Sequence, residues 1–261
     1  MEGIHGLLYA VGGGRGHVQR ALNLAEGFEQ ATILHSFEGP MPFPDWVRSV
    51  VVSSADTRAD VAALIESHRR PDSTLVVDTF PWGVGRRLGG ALVSSFARRV
   101  LVARYVRPGS YEGYEEALEA FPSVWLPTER DACEWEGWVE GTYIGAQVRT
   151  IAMGRRIPVP LLVIGDTNEL PPAFASRFGE GTHFIHGSFE ALPAAERVLS
   201  VGAGYNIVHE LGALGVNARF FPLERRYDNQ FLRAARWGQA VLSADELDAW
   251  LRSDTPSVGR V

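Results

Sequence analysis

Two residues of this sequence are best placed to do chemistry: His17, which closes the run Gly12-Gly13-Gly14-Arg15-Gly16, and Glu210, which follows Ser200-Val-Gly202-Ala-Gly204-Tyr205-Asn206. An imidazole at a helix start is disfavoured in its protonated form by the helix dipole. It can then take a proton from an attacking hydroxyl near neutral pH. The same residue can contact a phosphate, or simply hydrogen-bond its loop and help to cap the helix.

The second stretch suits an anion. A helix beginning near Tyr205 turns unpaired N–H groups towards the end of the strand before it, and Gly202 and Gly204 let the backbone approach a phosphate closely. Glu210 falls roughly one and a half turns further on, far enough to reach a sugar diol beyond the phosphate. The arrangement suits a nucleoside diphosphate. Glu210 is otherwise a solvated helix-face glutamate. Asp228 and Gln230 have the polar groups for sugar hydroxyls, although Asp228 is also a good cap for the helix reaching Trp237.

These residues need strands and helices behind them. Leu7-Leu8-Tyr9-Ala10-Val11 is a short apolar run ahead of the first glycine loop, and Val18, Ala21, Leu22, Leu24, Ala25 and Phe28 recur after it at helical intervals. The alternation continues through Ile33-Leu34, a helix near Val61 to Ile65, a strand Leu75 to Asp78 and a helix Val84 to Phe96. A strand Val100 to Ala103, a helix Tyr114 to Ala120 and a strand Val124 to Leu126 complete the series. Repeated units of this kind predict an α/β fold of parallel sheets covered on both faces.

A lapse with Gly154, two arginines, Pro158 and Pro160 places a boundary near residue 149, giving domains 1–148 and 149–261. The second, with strands expected near 161–164, 183–186, 198–201, 218–223 and 240–243, has only about 100 residues and reads as abbreviated.

The composition narrows the function. With 261 residues the chain can bury a substantial core, and a formal charge of −6 argues against a protein that holds nucleic acid by its phosphates, although a local basic patch is compatible with it. No apolar run approaches the ~20 residues of a spanning helix. The start lacks a signal peptide's basic and apolar regions. The single Cys133 excludes an internal disulfide and a thiolate metal cluster, and the cytoplasm is the expected compartment.

The glycine loop before His17 is not a P-loop, because no Lys-Ser or Lys-Thr follows it. It meets a dinucleotide-binding turn in part: Gly12 and Gly14 are present and Glu38 is roughly placed for a ribose, but the third glycine position is His17. An NAD-dependent oxidoreductase therefore stays as an alternative.

The same residues resemble GT-B glycosyltransferases. The run from Ser200 to Glu210, the strand ending at Pro222 and the Asp228-x-Gln230 pair are similar to the donor-binding half of that fold. They are most similar to the branch containing the N-acetylglucosaminyltransferase that completes the lipid-linked peptidoglycan precursor. Gly12 to His17, with Arg15 where the family has glycine, and Asp78-Thr79-Phe80-Pro81 extend the likeness to the amino-terminal half.

The resemblance implies two Rossmann-like domains closing on a nucleotide-sugar. Glu210 would hold the ribose, Gly202 to Asn206 the diphosphate, and Asp228 with Gln230 the donor sugar. Gly13, Gly14, Arg15, Gly16 and Arg149 would be further donor contacts, and His17 the base. It implies direct, inverting displacement with no metal or other cofactor. The partners would be a nucleotide-sugar donor and an acceptor, with peripheral membrane contact if that acceptor is lipid-linked.

Asp166 and Glu169 depart from the family pattern by placing carboxylates where an anion would sit, which admits a nucleotide-sugar-binding protein without catalysis. Trp125, Trp135 and Trp138 are candidates for core or acceptor platform, with core favoured, and His35 and His209 read as structural.

Overall fold

The computed structural model describes residues 4–12, 14–107, 109–111, 113–130, 133–135, 139–148, 151–153, 159–186, 191–237 and 239–253. The chain divides into two compact units, Met1–Arg149 and Thr150–Val261. In the first, the elements run β1 (His5–Ala10), α1 (Arg15–Ala25), β2 (Gln30–His35), β3 (Val47–Val51), α2 (Arg58–His68) and β4 (Thr74–Asp78). They continue with α3 (Gly90–Ser94), β5 (Arg98–Val102), α4 (Tyr114–Leu118), β6 (Ser123–Leu126) and β7 (Thr142–Tyr143). The second contains β8 (Ala152–Met153), β9 (Val159–Ile164), α5 (Pro172–Ala175), β10 (Thr182–Ile185), β11 (Ala191–Leu192) and β12 (Ala195–Val201). It ends with α6 (Tyr205–Ala213), β13 (Ala218–Phe221), α7 (Gln230–Arg236) and α8 (Ala244–Arg252).

Seven parallel strands in the order β3-β2-β1-β4-β5-β6-β7 form the first sheet. Every residue of β1 and β4 is buried, as a strand covered on both faces requires. Leu8 and Ala10 pack with Ala21 and Ala25 of α1, so the helical spacing of α1 lays one stripe onto that face of the sheet. Strand order reverses between β1 and β4, which opens a crevice at their carboxyl ends, the place where ligands bind in open α/β sheets.

The second sheet has four parallel strands, β10-β9-β12-β13, and reverses between β9 and β12. Leu162, Ile164 and Val198 join Val208 and Leu211 of α6 in one core, whereas Leu161, Val163 and Leu199 join Phe174, Leu247 and Trp250 in another. The last described helix, α8, thus covers this unit's own sheet.

Two expected elements differ. The helix expected over 84–96 is a single 3-10 turn at Val84–Arg86 followed by α3, because Gly85 and Gly89 take left-handed φ of 66° and 70° and Arg86 takes 58°. The strand expected over 240–243 is a single bridge from Phe220 to Ala240.

Candidate active site

α1 follows β1 through a short glycine turn, so its first residues lie in the crevice between β1 and β4. His17 and Arg20, three residues apart, share one helix face. Both reach Asp78, the last residue of β4. His17 Nδ1 lies 2.5 Å from Asp78 Oδ2, while Arg20 donates from Nε to Oδ1 at 2.7 Å and from Nη2 to Oδ2 at 2.8 Å. Nδ1 therefore carries the proton towards the carboxylate, and the lone pair is on Nε2.

Arg20 is fully buried and the His17 side chain is only 12% exposed. Burial pushes His17 below its ordinary value of 6.5; Asp78 pulls it back up, and Arg20 and Arg104 push it down again. For Asp78, burial alone would raise the carboxyl. The Arg20 guanidinium, followed by His17, overrides it and holds the group well below the usual carboxylate range. The result is a neutral imidazole oriented by an ionised carboxylate.

The backbone around the pair is specialised. Thr79 takes φ 66°, unusual for a β-branched residue, and its N–H donates to Val102 O at 2.9 Å while Phe80 N–H turns back to Asp78 O at 2.8 Å. Phe80 stacks near the imidazole, its centroid 6.4 Å away, and begins an aromatic chain through Tyr111, Tyr114 and Trp135. Trp135 is buried and donates from Nε1 to Ala103 O at 2.9 Å, so it belongs to a core that reaches the imidazole.

Of the other residues expected in this loop, Gly14 is the N-cap of α1 and makes no side-chain cap; Arg15 and Gly16 open the helix. Arg15 has no ion pair among the described residues. Gly13, Arg149 and Trp138 lie outside the described residues. The His17 ring lies directly against Gly12, where a Cβ would overlap it. A pyrophosphate approaching a dinucleotide turn would need that space, so the imidazole opposes the oxidoreductase alternative. Glu38 is exposed, three residues beyond β2.

A second constellation lies at the reversal of the other sheet. Gly202 takes φ 101°, and its N–H donates to Phe221 O at 2.8 Å, fastening the bend at the end of β12 to the end of β13. Gly204 is the N-cap of α6 with no side-chain cap, and Tyr205 and Asn206 form the first turn, which leaves N–H groups facing the crevice. Glu210 is only 5% exposed, which excludes the solvated helix-face alternative. Tyr205 packs against His209, and His209 against Trp237, so this histidine is part of the core. His35 is likewise occupied, with Nε2 bonded to Ser49 Oγ at 2.8 Å.

Asp228 and Gln230 lie at this bend but are already engaged. The cap of α7 is Asn229, whose side chain accepts from Leu232 N–H, and not Asp228. Asp228 instead pairs with Arg233 at 2.7 Å, both buried. The Gln230 Oε1 accepts from Ala203 N–H at 2.8 Å and from Leu223 N–H at 2.9 Å, clasping the glycine bend to the chain after β13. Asp166 caps the 3-10 turn Thr167–Glu169 by accepting from Asn168 N–H, and Glu169 pairs with Arg225 at 2.9 Å. One of the two carboxylates expected to repel an anion is thereby matched by a cation.

Arg20 was not legible as a site residue, and Asp78 only through its motif. The signal for Arg20 was an arginine on the apolar stripe of α1. A cavity of about 520 Å³ lined by His5, Thr32, Trp46, Arg48, His68 and Arg70 lies elsewhere, at the amino ends of the first sheet's strands.

Sequence comparison finds no matching family model and no matching curated protein. Structural comparison does. The chain matches the glycosyltransferase of kitacinnamycin with a TM-score of 0.59 at 13% identity, covering 97% of this chain and 92% of that one. It matches a UDP-glucosyltransferase from Polygonum tinctorium, described as capable of glucosylating indoxyl and solved with 3,4-dichloroaniline, with a TM-score of 0.60 at 10% identity. That match covers 94% of this chain and 88% of the other. At these identities the likeness is one of fold: α/β with two parallel sheets, matching GT-B glycosyltransferase structures.

Proposed function

We propose that this GT-B chain is an inverting glycosyltransferase that moves a sugar from a nucleotide-sugar to an acceptor hydroxyl. The observation that carries the proposal is the 2.5 Å contact of His17 Nδ1 with Asp78 at the first sheet's reversal point, which leaves a neutral Nε2 as base. In the proposed step the acceptor O–H gives its proton to His17 Nε2 and its oxygen attacks the anomeric carbon. The bond from that carbon to the diphosphate breaks, and the nucleoside diphosphate leaves. Helix N–H groups at Gly204 to Asn206 would meet the developing negative charge in place of a metal, and the family resemblance adds Arg15 and Arg149 as candidate donor contacts.

In this proposal the first unit activates the acceptor and the second holds the donor, with Glu210 on the ribose and Gly202 to Asn206 on the diphosphate. One structure sharing the fold is a UDP-glucosyltransferase, which makes UDP the nucleotide to test first. The resemblance of Ser200 to Glu210 to the peptidoglycan-precursor branch points the same way. Given that Asp228 and the Gln230 carbonyl hold the bend together, their part in donor recognition is to shape it, leaving the Gln230 amide for the sugar.

The test is a binding and turnover series with UDP, UDP-sugars, dTDP and NAD. UDP should stabilise the protein where NAD does not. Glu210→Ala should weaken UDP by about 10- to 150-fold, corresponding to ~1.5–3 kcal/mol for hydrogen bonds to a charged group. His17→Ala should lower transfer by roughly 10²- to 10⁴-fold while leaving UDP affinity in place. Preference for NAD, or a Glu210→Ala dissociation constant equal to that of the parent, would overturn the assignment.

A further inference from the structure

We propose that Arg20 is a positioning residue: by gripping both oxygens of Asp78 it holds that carboxylate in one orientation and takes part of its charge away from His17. The inference rests on His17 acting as the base, and its test can be read without any substrate.

The geometry sets the argument. Asp78 Oδ1 accepts from Arg20 Nε, and Oδ2 is shared between Arg20 Nη2 and His17 Nδ1. A carboxylate held by the imidazole alone could swing about its Cβ–Cγ bond; a two-pronged guanidinium removes that freedom and so fixes the direction of the imidazole. Arg20 is fully buried, where a Leu or Met would pack α1 against the sheet without the desolvation cost of a charge.

The charge count supplies the second half. Within the triad, Arg20 and Asp78 cancel when the imidazole is neutral, whereas an imidazolium would give these three buried side chains a net positive charge. Asp78 without Arg20 would attract an imidazolium more strongly and raise the proton affinity of His17, making it a poorer acceptor of a proton near neutral pH. Two further described groups bear on the triad in the same sense or stay neutral. Arg104, just beyond β5, adds positive potential at His17, and Tyr114 at the start of α4 keeps its proton because burial, then Tyr111 and Asp78, raise its phenol.

The experiment follows the imidazole nitrogens of His17 by NMR titration in the unligated full chain, in the parent, Arg20→Gln and Arg20→Lys. Gln keeps a hydrogen bond to Asp78 without the charge; Lys keeps the charge without the fork. Arg20→Gln should raise the His17 midpoint by about one pH unit, a tenfold gain in proton affinity. Arg20→Lys should leave the midpoint near the parent's but lower transfer by roughly ten- to a hundredfold through loss of aim.

If Arg20→Gln is folded and its midpoint equals the parent's, Arg20 is only a strut. If Arg20→Gln does not fold, Arg20→Lys decides alone. A midpoint raised by a full unit, or unchanged transfer, overturns the proposal; for a protein without transferase activity, a disordered Nδ1–H signal replaces the transfer readout. A shifted midpoint in Arg20→Gln without any sugar transfer would keep this device and remove the glycosyltransferase assignment.

Discussion

Gly12 has no side chain because the His17 ring uses that space. Gly12→Ala should push the imidazole off Asp78 with little change in stability, and a displacement of ~1 Å at a reacting group can cost on the order of 10²-fold in rate. Turnover and melting temperature, measured together, check this. Gln230 makes a different kind of contribution, since its side-chain oxygen satisfies two backbone donors. Gln230→Leu should therefore cost about 1–3 kcal/mol for each donor left buried and unpaired, measurable by chemical denaturation. Titration adds a third expectation. His5, His17, His35 and His68 are all pushed below 6.5, by burial first in each case. Below pH 6.5 the unfolded chain therefore takes up protons that the folded chain refuses, and stability falls as pH falls. Asp78, held below the carboxylate range, adds a further loss beneath its ordinary 3.8. Melting temperatures across pH 7 to 3 should decline in that order, and a flat profile between pH 6.5 and 5 would contradict the histidine burial.

Helix starts divide into two kinds. α2 and α8 begin with complete capping boxes, Thr57 with Asp60 and Ser243 with Glu246. α1 and α6 begin at Gly14 and Gly204 with no side-chain cap at all. The short helices α3, α4 and α5 also lack a side-chain cap, but of the uncapped helices only α1 and α6 open at the sheet reversals, where free N–H groups suit an anion. Gly204 already has the extended backbone of a capping residue, φ −63° and ψ 151°, and open space where a Cβ would be. Gly204→Asp should raise stability by a few tenths of a kcal/mol while its carboxylate occupies the N–H groups and repels a diphosphate. Calorimetry with UDP should then show weakened binding in a protein that melts no lower than its parent; unchanged affinity would remove the diphosphate from this helix start. Ser243→Ala, by contrast, should cost ~1 kcal/mol and leave UDP affinity alone.

For the molecule as a whole, each unit has its own sheet, cores and reversal point. A ligand bound to one unit should protect that unit. At a hundred times its dissociation constant, a nucleotide contributes ~2.7 kcal/mol to the state that binds it. Hydrogen exchange with saturating UDP should slow amides from Gly202 to Glu210 more than those from Val11 to His17; the reverse order would move the donor to the first unit. Among the described residues no helix is long and apolar enough to cross a membrane.

The strand, glycine turn and helix at each reversal point were legible in the sequence because they depend on local periodicity: apolar runs for covered strands, a 3.6-residue stripe for α1 and α6, and glycines where the chain turns. The helix expected over 84–96 failed for an equally local reason, the left-handed φ of Gly85, Arg86 and Gly89. The partners of the polar residues were decided only in three dimensions. His17 and Arg20 meet Asp78 across 61 and 58 positions because strand order sets β4 beside β1. Asp228 goes to Arg233 and leaves the cap to Asn229 because a buried guanidinium needs a carboxylate more than a helix start does. Periodicity tells each residue which way to face; only the sheet, once assembled, determines what stands opposite it.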